Sequence, residues 1–341
     1  MTVRVGVIGV GMIGQDHIRR ITRVLTGGVV AAVTDVDAGR AGSVAAGLPG
    51  AAVHSTGKDL ISAPDVDAVV VTSWGPTHEE HVLGAIEAGK PVFCEKPLAT
   101  TKEACLRIIE AEMARGRRLV QVGFMRRYDT GYRALKAALD DGRIGTPLLM
   151  HCAHRNLSVP PYGFTTEGMI GDSAVHEIDL VQWLFGEPVA AASILKPRRS
   201  GRAAEGLHDP LIVVLEMASG VLVDAEVFVN ATYGYDIRGE IVGETGTVAL
   251  AEAAGEVIVK SDGGRRSRVP VDWRDRFAGA FDAELQDWLD AVAAGTSTGP
   301  SSWDGYAAAV VVDGCLEALR TGRRTPVSLA GRPGFYDTAQ R

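Results

Sequence analysis

The stretch from residue 3 to about residue 25 constrains this chain more than any other. A β-branched run, "VRVGVI" (Val3–Ile8), leads directly into Gly9-x-Gly11-x-x-Gly14, and a helical pattern follows from Gln15 to about Leu25. The first glycine of such a series permits the tight turn. The second lets a pyrophosphate approach the backbone, and the third lets helix and strand pack closely. Met12 and Ile13 fall at the helix N-terminus, whose N–H groups would face the phosphates. The series alone is weak, but its place between strand and helix is the context that confirms it. The next strand, 29–33, ends in Thr34-Asp35. Asp35 lies about 20 residues beyond the glycines, where a carboxylate accepts from a ribose diol and repels a 2′-phosphate. Val36 follows, not arginine, so the pattern favours NAD over NADP. Outside this context Asp35 would read as a turn or cap residue.

Strand and helix go on alternating. "DAVVVTS" (67–73), "KPVFCEK" (90–96) and "RLVQVGF" (118–124) read as buried strands; 77–89 and 101–116 read as helices stopped by Gly89 and Gly116. This order predicts a doubly wound parallel Rossmann sheet over residues 1–120, with ligands beyond the carboxyl ends of its strands. Thr72, Ser73 and Trp74 fall at one such end, and Glu95 and Lys96 at another. His78 opens the helix after the first. We assign Thr72, Ser73, Trp74, His78 and Glu95 to the cofactor crevice. His78 and His81 share i, i+3 spacing, but no cysteine or third histidine accompanies them, and no metal site is expected. Lys96 is followed by Pro97, and a cis bond between them is left open.

Near residue 121 the pattern changes. A helix is expected over Tyr128–Asp140, then longer strands: "PLLMHCAHR", "DPLIVVLEMASGVLVDAEVFV", "YDIRGEIVGETGTVALAE" and "EVIVKS". Ser219-Gly220 and Thr245-Gly246 read as hairpin turns. Residues 121–341 are therefore expected to form an α+β domain with a mostly antiparallel open sheet, covered by helices near 277–294 and 303–321. One helical insertion, "GDSAVHEIDLVQWLFGE" (171–187), begins near Ser173. Val175, Ile178, Val181 and Leu184 make its core stripe, and Asp172, His176, Asp179 and Trp183 a second one, with Asp172 and His176 one turn apart. On spacing alone that pair is as readily structural as catalytic. The chain carries 35 basic and 42 acidic side chains in 341 residues, a formal charge of −7, so nucleic acid is not an expected partner. Its four scattered cysteines predict buried thiols of a reducing compartment. The glycine-broken N-terminus is neither a signal peptide nor a membrane span. These features together predict a cytoplasmic protein.

The glycine-rich turn, the Glu95-Lys96-Pro97 strand end and Asp172-x-x-x-His176 resemble the glucose–fructose oxidoreductase/inositol dehydrogenase/MocA family. The stretches "VTSWGPTHE", "FCEKPLATT", "RLVQVGFMRRYD", "HCAHRN" and "GYDIRGEIVGETGT" narrow the likeness to its inositol dehydrogenases, from about residue 5 to about residue 290. The segment 157–170 and the tail beyond about 295 match less clearly. The resemblance implies a catalytic set of Lys96, Asp172 and His176, and a polyol pocket lined by Arg126, His154, Asn156 and Tyr235. It implies NAD-dependent oxidation of myo-inositol to the 2-keto product by a homo-oligomer, commonly a tetramer. Another cyclic polyol, an amino-inositol or an aldose would suit the same residues. A non-catalytic NAD-binding regulator should have lost Lys96 or His176, and both are present.

Overall fold

Burial on both faces makes strands of the first apolar runs. The computed structural model describes residues 2–159, 164–251, 258–261, 264–267 and 269–337, and the chain divides into two compact units. In the first, β1 (Val3–Ile8), β2 (Gly28–Thr34), β3 (Ala52–Val53), β4 (Ala68–Val71), β5 (Val92–Glu95) and β6 (Val120–Gly123) alternate with α1 (Met12–Arg23), α2 (Ala38–Ala45), α3 (Gly57–Ser62), α4 (His78–Glu87) and α5 (Lys102–Arg115). The strands pair in parallel in the order β3-β2-β1-β4-β5-β6. The order reverses between β1 and β4, and a ligand crevice opens beyond the carboxyl ends of strands at such a switch point. Local signals set the helix ends. Thr101 caps α5 by accepting the Ala104 N–H at 3.2 Å, and Gly116 ends it at φ 71°.

The first unit comprises Met1–Phe124, Phe281–Ala309 and Ala330–Arg341. This corrects the expectation that the helix near 277–294 covers the second sheet; the helix Ser302–Thr321 is divided between the two units. In the helix Ala278–Ala294, Leu285, Trp288 and Leu289 are buried with Val5, Val30 and Phe93 in the core of the first sheet. Periodicity announces an apolar face but not which core it complements. A Cβ at Gly28 would come within 2.9 Å of Leu289 Cδ2, so the glycine makes room for this helix.

The second unit comprises Met125–Ala280 and Val310–Leu329. It contains α6 (Thr130–Asp140), whose cap Asp129 accepts the Gly131 and Tyr132 N–H groups. Its strands are β7 (Pro147–Arg155), β8 (Val189–Leu195), β9 (Leu211–Met217), β10 (Leu222–Phe228), β11 (Asp236–Gly243) and β12 (Thr247–Ala249), then a small hairpin of β13 (Ile258–Ser261) and β14 (Gly264–Ser267), and β15 (Thr325–Pro326). The main sheet runs β12-β11-β7-β10-β9-β8-β15, antiparallel except for β7 beside β10. Gly220 turns β9 into β10 at φ 94°. In β9 and β10 the inward residues Leu211, Val213, Leu215, Val223, Ala225 and Val227 are buried, and the alternate positions are not. The expected strand 256–261 begins outside the described residues, as do Pro160–Gly163 of segment 157–170.

Candidate active site

The glycine-rich turn shows why each glycine stands where it does. Gly9 has φ +90°, and a Cβ there would lie 2.5 Å from the Ser73 backbone. A Cβ on Gly14 would lie 2.1 Å from the Gly9 carbonyl oxygen. One on Gly11 would meet nothing within 4 Å, leaving that face open to an incoming pyrophosphate. Gly11 is also the N-cap of α1 and offers no side chain to its first N–H groups, and Met12 beside it is exposed. A dinucleotide fits these features. The Asp35 carboxylate accepts the Val10 N–H at 2.8 Å, the Asp37 N–H at 2.9 Å and an Arg40 N–H at 3.1 Å. A carboxylate has about four acceptor positions, so one remains for a ribose hydroxyl. Val36 is fully exposed.

Other residues assigned to the crevice hold one another. Thr72 Oγ donates to the Gly9 carbonyl at 2.6 Å and pins the turn. Ser73 and Thr77 share a hydroxyl–hydroxyl bond of 2.8 Å, and Trp74 is largely exposed. His78 is buried, with Nδ1 at 2.7 Å from the Pro97 carbonyl and Nε2 at 2.9 Å from that of Ser73. Both ring nitrogens of His78 thus face backbone carbonyls of the chain itself. Glu95 is buried too. One of its oxygens lies 2.7 Å from His17 Nε2, and the other accepts the Lys96 N–H at 3.2 Å. The Lys96–Pro97 bond is cis.

In the second unit the predicted polar residues gather around one the sequence did not single out. Glu177 pairs with Arg126 and lies 3.0 Å from His154 Nδ1. Burial alone would raise its carboxyl, but the Arg126 guanidinium and His154 outweigh that and hold it down at about 2. His154 Nδ1 lies between this carboxylate and an Arg126 nitrogen 3.2 Å away. His154 lies with its ring centroid 5.9 Å from Tyr235 and 6.2 Å from His176. Burial pushes the Tyr235 hydroxyl up to about 12, so it stays a neutral donor. Arg126 was expected to line a polyol pocket. Its guanidinium is buried against Glu177, His154 and the Phe277 ring, whose centroid is 5.6 Å away. The Asn156 side-chain oxygen is buried with no hydrogen-bond partner among the described residues, as a group reserved for a ligand would be. Asp172 lies exposed in a π-helical turn, Met169–Ala174, and His176 is half-buried in the α-helix that follows, Val175–Phe185. The helix expected from Ser173 thus begins as a wider turn, a form frequent at functional sites.

Two profiles of one oxidoreductase family match this chain: the NAD-binding Rossmann fold over residues 3–124, and the C-terminal alpha/beta domain over residues 136–329. The chain belongs to the Gfo/Idh/MocA oxidoreductase family. It is 58% identical over 336 residues to inositol 2-dehydrogenase 3 of Saccharopolyspora erythraea, covering 98% of each chain. It is 53% identical over 337 residues to inositol 2-dehydrogenase of Pseudomonas syringae pv. syringae, covering 98% of this chain and 100% of that one. Its fold superposes with TM-score 0.96 on the crystal structure of myo-inositol dehydrogenase from Lactobacillus casei in complex with NAD(H) and myo-inositol, at 40% identity, covering 98% of this chain and 100% of that one. This member of the family is an NAD-binding oxidoreductase.

Sequence reasoning passed over Glu177, Arg40 and His17. Glu177 directly follows His176 and belongs to neither stripe of the helix. The helix is buried on nearly every side: Glu177, Asp179 and Leu180 are as inaccessible as Val175 and Ile178. Asp179 pairs with Arg127 at 3.0 Å. The one available signal was Arg126-Arg127 on one segment against two acids on another, because buried charges need partners.

Proposed function

We propose that this protein oxidises myo-inositol to its 2-keto product with NAD. The observation that carries this reading is whole-length similarity to inositol 2-dehydrogenases at 58% and 53% identity. The turn Gly9–Gly14 and Asp35 would hold the cofactor. When bound, NAD supplies the hydride acceptor at its nicotinamide ring.

Loss of hydride from a secondary alcohol requires loss of the hydroxyl proton. His176 takes that proton; an imidazole suits the task near neutral pH. Asp172 orients the base or binds a neighbouring hydroxyl. Lys96 donates to the carbinol oxygen and stabilises its growing negative charge, an effect worth about 3–4 kcal/mol in comparable sites. Asn156, His154 and Tyr235 meet the ring hydroxyls, and Glu177 and Arg126 keep them in place. A ring with a hydroxyl on every carbon offers little apolar area, so paired hydrogen bonds set its specificity.

The same reading makes the protein a cytoplasmic homotetramer. No helix among the described residues is long and apolar enough to cross a membrane. The outer face of the second sheet carries Ile212, Val214 and Phe228 between the ion pairs His151–Asp224 and Arg155–Glu226, a surface suited to a second copy. Light scattering reads the assembly.

NADH formation with a panel of myo-inositol, scyllo-inositol, an amino-inositol and aldoses tests the activity. We expect the highest kcat/KM with myo-inositol and NAD. An aldose that reacts where myo-inositol does not would overturn the substrate.

A further inference from the structure

We infer that His78 is a positioning residue for Lys96, a strut between the dinucleotide turn and the lysine. The inference rests on the proposed role of Lys96 and goes beyond it. His78 opens α4 and is 2% exposed, yet it faces two backbone carbonyls from two different strand ends. Nε2 lies 2.9 Å from the carbonyl of Ser73, just past β4, and Nδ1 lies 2.7 Å from that of Pro97, just past β5. Carbonyl oxygens only accept. A neutral imidazole therefore donates one of these bonds, and a protonated ring donates both.

The two anchor points are not arbitrary. Ser73 packs on the glycine turn so tightly that a Cβ at Gly9 would sit 2.5 Å from its backbone. Pro97 follows Lys96 directly, and the Lys96 N–H is fixed from the other side by Glu95, itself held by the buried His17. The lysine backbone is thus gripped by Glu95–His17 on one side and by His78 on the other. His17 lies on α1, which opens at the glycine turn, and His78 faces the carbonyl of Ser73, which packs on that turn. Together they set the lysine backbone against the turn that would hold the pyrophosphate. A displacement of about 1 Å at a reacting group can cost a hundredfold in rate.

Two conservative variants separate the two bonds. The amide nitrogen of His78→Asn overlies Nδ1 and keeps the Pro97 bond. That of His78→Gln overlies Nε2 and keeps only the Ser73 bond. The inference predicts that both variants bind NAD with the parent Kd by fluorescence titration. Each variant cuts one end of the strut, so the inference predicts that both lose about a hundredfold in kcat with little change in KM. In a Lys96→Met background, adding either variant should cost no further rate, because residues acting as a unit are non-additive. Parental turnover in either variant, a loss carried by NAD affinity, or additive losses would overturn the strut while leaving Lys96 its role. Parental turnover in Lys96→Met alone would overturn the role of Lys96, and the strut with it.

Discussion

Replacing Glu177 by glutamine removes one charge from the buried cluster and leaves the Arg126 guanidinium beside it uncompensated. The two side chains are each only 2% accessible. Removing one partner of such a pair costs about 3–5 kcal/mol. The pH dependence is the sharper test. The Glu177 carboxyl sits at about 2 in the folded protein against an ordinary 4.5, because the attraction of Arg126 and His154 exceeds the penalty of burial. That gap is worth about 3 kcal/mol. The folded value lies below the unfolded one. The stabilisation is therefore complete above the unfolded value and is lost as the pH falls through the folded one, and at about pH 3 less than half of it remains. Urea unfolding followed by circular dichroism should show the glutamine variant's deficit shrinking by about 2 kcal/mol between about pH 7 and about pH 3. A deficit of the same size at both would refute the assignment of a paired, ionised Glu177.

Other perturbations have definite outcomes. Gly9→Ala should abolish measurable NAD binding in calorimetry, since its φ of +90° and the 2.5 Å approach of Ser73 leave no place for a methyl group. Asp35→Ser should raise the relative kcat/KM for NADP, because it removes the repelling carboxylate and frees Arg40, now 3.1 Å from it, to meet a 2′-phosphate; an unchanged NAD preference would refute this. His176→Ala should bind NAD normally in titration yet lose most turnover, and unchanged turnover would reassign it to structure. Asn156→Ala should raise KM for the polyol more than it lowers kcat, by about tenfold or more, as expected for a group that pairs with a hydroxyl in ground and transition states alike.

The readable parts of the sequence were those with local causes. The strand–glycine–helix unit, the Gly89 and Gly116 stops and the Ser219-Gly220 hairpin each carry their geometry in a few neighbouring residues. Residues 36–66 gave little, because α2, α3 and the two-residue β3 are too short for a period to show. The π turn at Met169–Ala174 has no composition of its own. The helix Ala278–Ala294 was visible as a helix, but its place beside Val5 and Phe93 depends on complementarity across some 200–280 residues of chain, which no local pattern encodes. At the site, residue types with known chemistry stood out, and the partners that hold them did not. Glu177, Arg40 and His17 look like ordinary helix residues until the fold brings Arg126, Asp35 and Glu95 to them.

The most direct test of the account uses myo-inositol carrying deuterium at C2. With NAD, the rate should fall by a primary isotope effect, and the label should appear on the nicotinamide ring of the NADH formed. Unlabelled NADH, or no NADH from this polyol, would contradict hydride transfer from that carbon.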